Sequence, residues 1–364
     1  MKFILNLSKA WEKRIKRNEI LAPYTYFRIG GPADYFVTVK SSKELKEVIL
    51  SAEAAKVPWF ILGGGSNILV GDFGFRGLVI KNDAESANVE GKELTAESGI
   101  KMSKLAAFSI KNGLAGLEVF MSVPGTLGGA VFNNSHFRPE KNEFIGNLVK
   151  EAEVLLMNGE NRRLPSAARI SSTGAEPEST PVRSVASRPA CRQVLDWHRE
   201  IVNRDWFRFG YDYSRLHDET GVVLNVRFRL KKSDPEKLKA RSLELLKQRN
   251  SRQPIGQLSC GCMFKNPDGM SAGQLIDDAG MKGKRVGGAV VSDKHANFIV
   301  NTGGAKAEEV LKLMDWVKRA VKTKSGIDLE PEIFRVGEFS KGDPNDPNQH
   351  PNVPNREFEL FGCH

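Results

Sequence analysis

Leu258-Ser-Cys-Gly-Cys-Met-Phe-Lys-Asn-Pro267 concentrates more chemistry than any other stretch of the chain. Gly261 is followed by a thiol, Cys262, then an aromatic ring, Phe264, a cation, Lys265, and an amide, Asn266; a proline then stops the strand. In an extended segment Cys262, Phe264 and Asn266 share one face, because side chains alternate with period two. An acid, a flat apolar wall and a donor/acceptor amide would line one pocket, with Lys265 beside it for an anionic group. The plain alternative is a core strand with a solvated lysine and an inert thiol.

Two glycine clusters upstream supply a different chemistry. Gly63-Gly64-Gly65-Ser66-Asn67 follows the apolar run Trp59-Phe-Ile-Leu62. Consecutive glycines let backbone N–H groups crowd an anion without Cβ obstruction. A P-loop would need a Gly-Lys-Ser/Thr ending, and a dinucleotide fingerprint a GxGxxG spacing; neither is present. The second cluster is Ser122-Val-Pro124-Gly125-Thr126-Leu-Gly128-Gly129-Ala130, where proline and glycine fix a turn and Thr126 offers a hydroxyl. With Thr25-Tyr-Phe-Arg28-Ile-Gly30-Gly-Pro-Ala-Asp34, the two clusters suggest one extended dinucleotide held by three loops.

Elements to carry these loops are legible. Phe36–Val39, Trp59–Leu62, Gly77–Ile80 and Val222–Leu230 read as strands. Ser41-Ser-Lys-Glu44 is a capping box opening a helix through Ala55. Further helices are expected over Met102–Asn112, Lys237–Gln248, Ala272–Ala279 and Ala307–Lys324, and a strand over Asn297–Asn301. Residues 1–22 read as a helical arm, and the Pro/Asn-rich residues 340–364 as a tail. Residues 165–190, with six serines, four prolines and no aromatic, cannot bury enough surface to offset ordering entropy and read as a disordered insertion. Trp197, Trp206 and Phe207 signal that packing resumes before Gly221.

The bulk composition narrows the class. At 364 residues the chain holds two or three domains. No apolar run approaches the ~20 residues of a membrane span, and the start turns charged too soon to read as a signal peptide. Four cysteines form no metal or CxxC spacing, so no metal is expected, and a reducing cytoplasm fits. The net charge of +10 is spread without a dense run, which favours anionic small ligands over nucleic acid. His295 reads as a hydrogen-bonding bystander.

The motif strings resemble the UDP-N-acetylenolpyruvoylglucosamine reductase family. They are TYFRIGGPAD (25–34), ILGGGSNILVGDFGFRGLVI (61–80), GLAGLEVFMSVPGTLGGAVFNN (113–134), RQPIGQLSCGCMFKNP (252–267), AGQLIDDAGMKGKRVGGAVVSDKHANFIVN (272–301) and LEPEIFRVG (329–337). The resemblance implies an α+β fold: a two-part FAD-binding module of the vanillyl-alcohol-oxidase type over 23–230, then a C-terminal α/β substrate-binding domain over 231–339. It is similar to the shorter subtype, which lacks a substrate-capping insertion. The implied reaction uses NADPH and dissociable FAD to reduce UDP-N-acetylglucosamine enolpyruvate to UDP-N-acetylmuramate for peptidoglycan, in the cytoplasm, by a monomer. Hydride reaches C3 of the enol ether, and an acid protonates the enolate at C2.

In the family that acid is a serine or cysteine at the position of Cys262, and a thiol, with reference pKa near ~8.5, donates readily near neutrality. The resemblance assigns the second catalytic group to Glu332 of Leu329-Glu-Pro-Glu332, with Glu330, two residues away, as its rival. Lys265 and Asn266, joined by Ser271 and Gln274, are implied contacts to the UDP part, and Arg249 and Arg252 are candidates for the diphosphate. One position departs. The family pattern Tyr-Arg-x-Ser, whose arginine meets the substrate, stands here as Tyr211-Asp212-Tyr213-Ser214. A carboxylate there opposes enolate formation unless it is paired or another cation serves. Asp212 therefore keeps open a second reading, an FAD- and nucleotide-sugar-binding protein with impaired turnover. An FAD oxidase on the same fold is a third; many such oxidases attach flavin through a histidine near the glycine loop, and residues 59–80 contain none.

Overall fold

The structure, a computed structural model, describes residues 9–137, 141, 143–158 and 196–339. The segment 165–190 and the tail 340–364 lie outside the described residues.

Runs of β-branched and aromatic residues build the first sheet. Helix α1 (Lys9–Glu12) and strand β1 (Lys16–Ile20) precede β2 (Pro32–Val39), helix α2 (Ser42–Ala54), β3 (Trp59–Leu62), β4 (Ile68–Val70) and β5 (Phe75–Asn82). The sheet order is β1-β2-β5-β3, with β4 outside it. β2, β5 and β3 run parallel, and β1 pairs antiparallel at the edge. Leu78, Val79 and Ile80 of β5 are all fully buried, as in a strand covered on both faces. Leu45, Val48, Ile49 and Ala52 bring the apolar side of α2 into this core. The Ser41 side chain caps α2 by accepting from the Glu44 amide, while Glu44 Oε2 accepts from Lys40 N rather than closing the reciprocal box at Ser41.

The N-terminal segment corrects the expected helical arm over 1–22. Within its described part only Lys9–Glu12 is α-helical, and Lys16–Ile20 is an edge strand. Asn18 at φ +52° breaks any helix there. The ladder from Lys16 opposite Phe36 to Ile20 opposite Pro32 takes up the backbone groups instead.

The second unit is antiparallel. Strands β6 (Ala87–Glu90) and β7 (Glu93–Glu97), helix α3 (Met102–Lys111), β8 (Leu114–Ala115), α4 (Leu127–Phe132), β9 (Val149–Asn158), β10 (Asp196–Asn203), β11 (Gly221–Arg229), β12 (Lys231–Lys232) and α5 (Pro235–Arg252) follow in order. Their sheet runs β10-β9-β11-β7-β6. In β11 the buried Val226 and Phe228 alternate with the exposed Arg227 and Arg229, which fixes one face to the core. Trp197 of β10 packs against Trp59, ring centroids 6.1 Å apart, so order does resume before Gly221. Helix α5 is capped by Asp234, which accepts from the Glu236 and Lys237 amides, and sends Leu245 into the core of this unit.

The third unit holds α6 (Ala272–Asp278), β13 (Arg285–Val286), β14 (Ala289–Val291), β15 (Ile299–Asn301), α7 (Ala307–Ser325) and β16 (Phe334–Val336). The helical stripe Val310, Met314, Val317 and Val321 of α7 is core, as the sequence predicts. β16 leaves its own unit and pairs parallel with β4, Phe334 opposite Ile68. That pairing brings the chain just before β16 onto the loop after β3. Among the described residues no helix is long and apolar enough to cross a membrane.

Candidate active site

A cleft of about 460 Å³ runs where the three units meet. Its first wall is the loop after β3, at the carboxyl end of a parallel strand, where open α/β sheets place their ligands. Gly63, Gly64, Gly65, Ser66 and Asn67 all line it, facing Pro124, Gly125, Thr126, Gly128 and Gly129. The two loops nearly touch. A Cβ on Gly64 would stand 2.6 Å from the Gly125 Cα, and one on Gly63 would stand 2.4 Å from Thr126 Oγ1. Among the described residues the amides of Gly64, Gly65 and Ser66 donate to no protein acceptor. Unpaired amides on a loop too tight for side chains fit the diphosphate of FAD. Gly64→Ala is therefore expected to purify nearly colourless, its FAD affinity at least ~10-fold weaker, with an unchanged circular dichroism spectrum. Full flavin content in that variant contradicts this role for the loop.

Three expected cofactor residues stand outside the cleft wall. Arg28, at φ +56°, donates to the Pro23 carbonyl from an exposed position. Gly30, at φ +149°, packs on β4: a Cβ there would lie 2.9 Å from the Val70 Cβ. Both shape the 25–34 loop. Ser122 holds a neighbour instead, its carbonyl accepting from Arg249 Nη1 at 2.7 Å.

The same cleft also collects Cys262, Glu332, Asp212, Arg249 and Arg252. Cys262 follows Gly261 at φ +95°, which turns the chain there, and pairs by an isolated bridge with Phe298. Phe264 does not share its pocket. It is 1% exposed and belongs to the core of the third unit, a burial that contributes about 2–3 kcal/mol. The expected common face of Cys262, Phe264 and Asn266 fails because two unrelated partners hold the segment. Asn297 accepts from the Phe264 amide through Oδ1, and the Glu332 amide donates to the Met263 carbonyl.

That second bond places the Glu332 carboxylate. Asn67 Nδ2 donates to the Glu332 carbonyl at 3.4 Å, and the Phe334 amide donates to the Asn67 carbonyl at 3.1 Å. The glycine loop and the acid are thus tied through one asparagine. Glu330 and Glu332 do not share a face: Glu330 is 70% exposed and pairs with Lys265, whereas Glu332 lines the cleft.

The expected nucleotide contacts sit outside the cleft. Asn266 Oδ1 accepts from the Ala272 amide at 3.0 Å, and its Nδ2 reaches the Tyr211 hydroxyl at 3.4 Å. Ser271 caps α6 by accepting from the Gln274 amide, and Gln274 Nε2 donates to Asp278. These bonds give Ser271 and Gln274 structural work that the sequence did not foresee.

Charge in the cleft is set mainly by burial. Burial pushes the Cys262 thiol well above its ordinary value; Glu332 and Asp212 add to this and Arg249 opposes it. The expected easy acidity of the thiol is therefore corrected: desolvation of a thiolate makes the proton harder, not easier, to release. Glu332 is also held well above the carboxylate range, by burial first and by Asp212 second, with Lys265 opposing. Burial thus favours the protonated form of both groups. Arg249 is lowered by burial, yet an arginine stays cationic. Its Nε donates to Gln253 Oε1 at 2.6 Å and its Nη1 to Ser122, which fixes the guanidinium beside the cleft.

Sequence reasoning missed His136, which lines the same cleft and faces Asp212, Nδ1 to Oδ1 at 3.4 Å. It lies two residues past the end of the second glycine-rich string, and its only signal was that proximity. Tyr211 was quoted only as part of a pattern. Its phenol is pushed up to about 12, by burial first and then by Asp212 and Glu332.

Known proteins agree with this geometry. Residues 33–165 match a family model described as FAD binding domain. Residues 253–336 match UDP-N-acetylenolpyruvoylglucosamine reductase, C-terminal domain. The UDP-N-acetylenolpyruvoylglucosamine reductase of Clostridium novyi (strain NT) is 35% identical over 331 residues, 91% of this chain and 94% of that protein. The one from Caldanaerobacter subterraneus subsp. tengcongensis is 34% identical over 328 residues, 90% of this chain and 95% of its own. The crystal structure of UDP-N-acetylenolpyruvylglucosamine reductase from Thermus caldophilus superposes with a TM-score of 0.66 at 31% identity, covering 88% of this chain and 98% of that one. With α+β architecture, glycine cradle and similarity over 91% of the chain in agreement, the chain belongs to the UDP-N-acetylenolpyruvoylglucosamine reductase family.

Proposed function

We propose that Cys262 and Glu332 are the catalytic pair with which this FAD enzyme reduces UDP-N-acetylglucosamine enolpyruvate to UDP-N-acetylmuramate in peptidoglycan synthesis. The carrying observation is one continuous cleft, lined by the glycine loops and by Cys262, Glu332 and Arg249. Bound FAD, recharged by NADPH, would supply a hydride for C3 of the enol ether. Residues 63–67 and 124–129 would hold it. The chain's own residues do the rest. Negative charge then falls on C2 and its carboxylate, and fixed donors stabilise it. Arg249 offers a cation, and the protonated Glu332 a hydrogen-bond donor without an opposing charge. The Cys262 thiol gives its proton to C2, and the buried thiolate that forms is a strong base that regains one from solvent.

Arg252, which also lines the cleft, suits the substrate's anionic groups. Lys265 and Asn266 suit its nucleotide from the rim: Asn266 is bonded to Tyr211, and Lys265 acts electrostatically on Glu332. In this reading residues 23–230 hold the cofactor and 231–339 the substrate groups, with α5 packed back on the cofactor side. The chain acts as a monomer in this reading. A nucleotide-sugar substrate supports the cytoplasm, and the dispersed charge supports small anions rather than nucleic acid as partners.

The test is anaerobic. Purified yellow protein is reduced with NADPH, then mixed with the enolpyruvyl substrate. Flavin absorbance should return within the turnover time, with stoichiometric product. Stable reduced flavin in the presence of substrate rules the reaction out.

A further inference from the structure

Asp212 has a geometry that demands a partner. It is not a glycine, yet it sits at φ +48°, in a turn where the Gly210 amide donates to the Tyr213 carbonyl at 3.0 Å. Its side chain is only 12% exposed, and Oδ2 is buried with no hydrogen-bond partner among the described residues. A buried carboxylate with an orphaned oxygen is costly unless an ion pair or a ligand compensates. The group that faces it is His136, whose Nδ1 lies 3.4 Å from Asp212 Oδ1 and is itself buried without a hydrogen bond. The ring is walled by Phe144 and Tyr211, centroids 5.3 and 5.1 Å away. Asp212 and His136 both line the cleft that holds Cys262 and Glu332.

The charges around the reacting atoms sharpen the point. Burial favours the neutral forms of Glu332 and Cys262. Arg249 already spends two of its N–H groups on Gln253 and Ser122. Lys265 is paired with Glu330. A bare Asp212 carboxylate would repel the charge that grows on the substrate. An imidazolium beside it cancels that repulsion and leaves one ring N–H, at Nε2, as a charged donor.

We propose that Asp212 and His136 act as one unit, an imidazolium–carboxylate pair whose free ring N–H supports the negative charge developing on the substrate's enolpyruvyl carboxylate and C2. Asp212 is then a positioning residue and His136 the group that meets the substrate. The inference rests on the reading that this cleft binds the enol ether.

The experiment uses full-length FAD-loaded protein reduced with dithionite, which bypasses NADPH. Flavin content serves as the check on folding. His136→Gln and Asp212→Asn should each slow reoxidation by the enol ether by roughly 10²-fold, and the double variant should be no slower than either alone, as for a pair acting together. His136→Arg should remain within about tenfold of wild type, since it keeps a charged donor. Asp212→Arg placed in the His136→Ala background should recover at least ~10-fold over His136→Ala, because it returns a cation to the same corner. Calorimetry gives a second readout: affinity for UDP-N-acetylmuramate should fall about tenfold in His136→Gln and return in His136→Arg. Wild-type protein that never reoxidises with the enol ether overturns the function and the dyad with it. Wild type that reoxidises beside an equally fast His136→Gln overturns the dyad alone, as do losses that multiply in the double variant.

Discussion

Cys262→Ala is expected to leave reduction of the bound flavin by NADPH nearly intact and to slow reoxidation by the enol ether by roughly 10²–10⁴-fold, the range for removing a positioned general acid. The asymmetry follows from chemistry. Only the second half-reaction moves a proton to carbon, and Cys262 is the group proposed to donate it. Burial keeps the thiol protonated well above neutrality, so no pH in the working range depletes the acid. Cys262→Ser should be the mildest substitution, because a hydroxyl is also protonated throughout that range and is similar in size. Stopped-flow absorbance of the two half-reactions decides the matter. Equal losses in both halves would mean that the thiol positions cofactor or fold rather than donating a proton.

Glu332→Gln should slow the same half-reaction by about 10²–10³-fold, and it carries an opposite signature in stability. The carboxyl is raised above its ordinary value by burial and by Asp212. A raised carboxyl binds more protons in the folded than in the unfolded chain, so its contribution is fully present below the unfolded value. Stability is then lost as pH climbs from that value through the folded one. Glutamine has nothing to ionise and keeps the size. The variant should therefore melt with wild type near pH 4 and above it at pH 8. A variant that is inactive and also less stable at pH 8 would show that the wild-type carboxylate is charged and paired in the cleft.

Much of the molecule was legible in the chain itself. Trp59–Leu62 is a strand because four bulky apolar residues run straight into three glycines, and the structure starts and stops it at those residues. The helices at 102, 272 and 307 follow their apolar spacing to within about a residue. Local sequence misled where distant pairing outweighed propensity. Lys16–Ile20 carries charges that suit a helix, but β2 offered an edge that its backbone could join. Phe264 fitted a pocket wall by period-two counting, yet the core of the third unit took it, since a fully buried ring gains more there than at a wet cleft.

What the sequence alone determined was the set of chemical parts: two glycine loops for a dinucleotide, a thiol and a carboxyl in known frames, and the missing arginine at Asp212. These are local facts of residue type and spacing, carried by contiguous strings. Tertiary structure alone decided which parts meet. The parallel pairing of β16 with β4 set Glu332 rather than Glu330 in the cleft, and the turn at Gly210–Tyr213 set Asp212 against His136, 76 residues earlier in the chain. It also decided how tightly the protons are held, because desolvation depends on what surrounds a group in space and not on its neighbours along the chain.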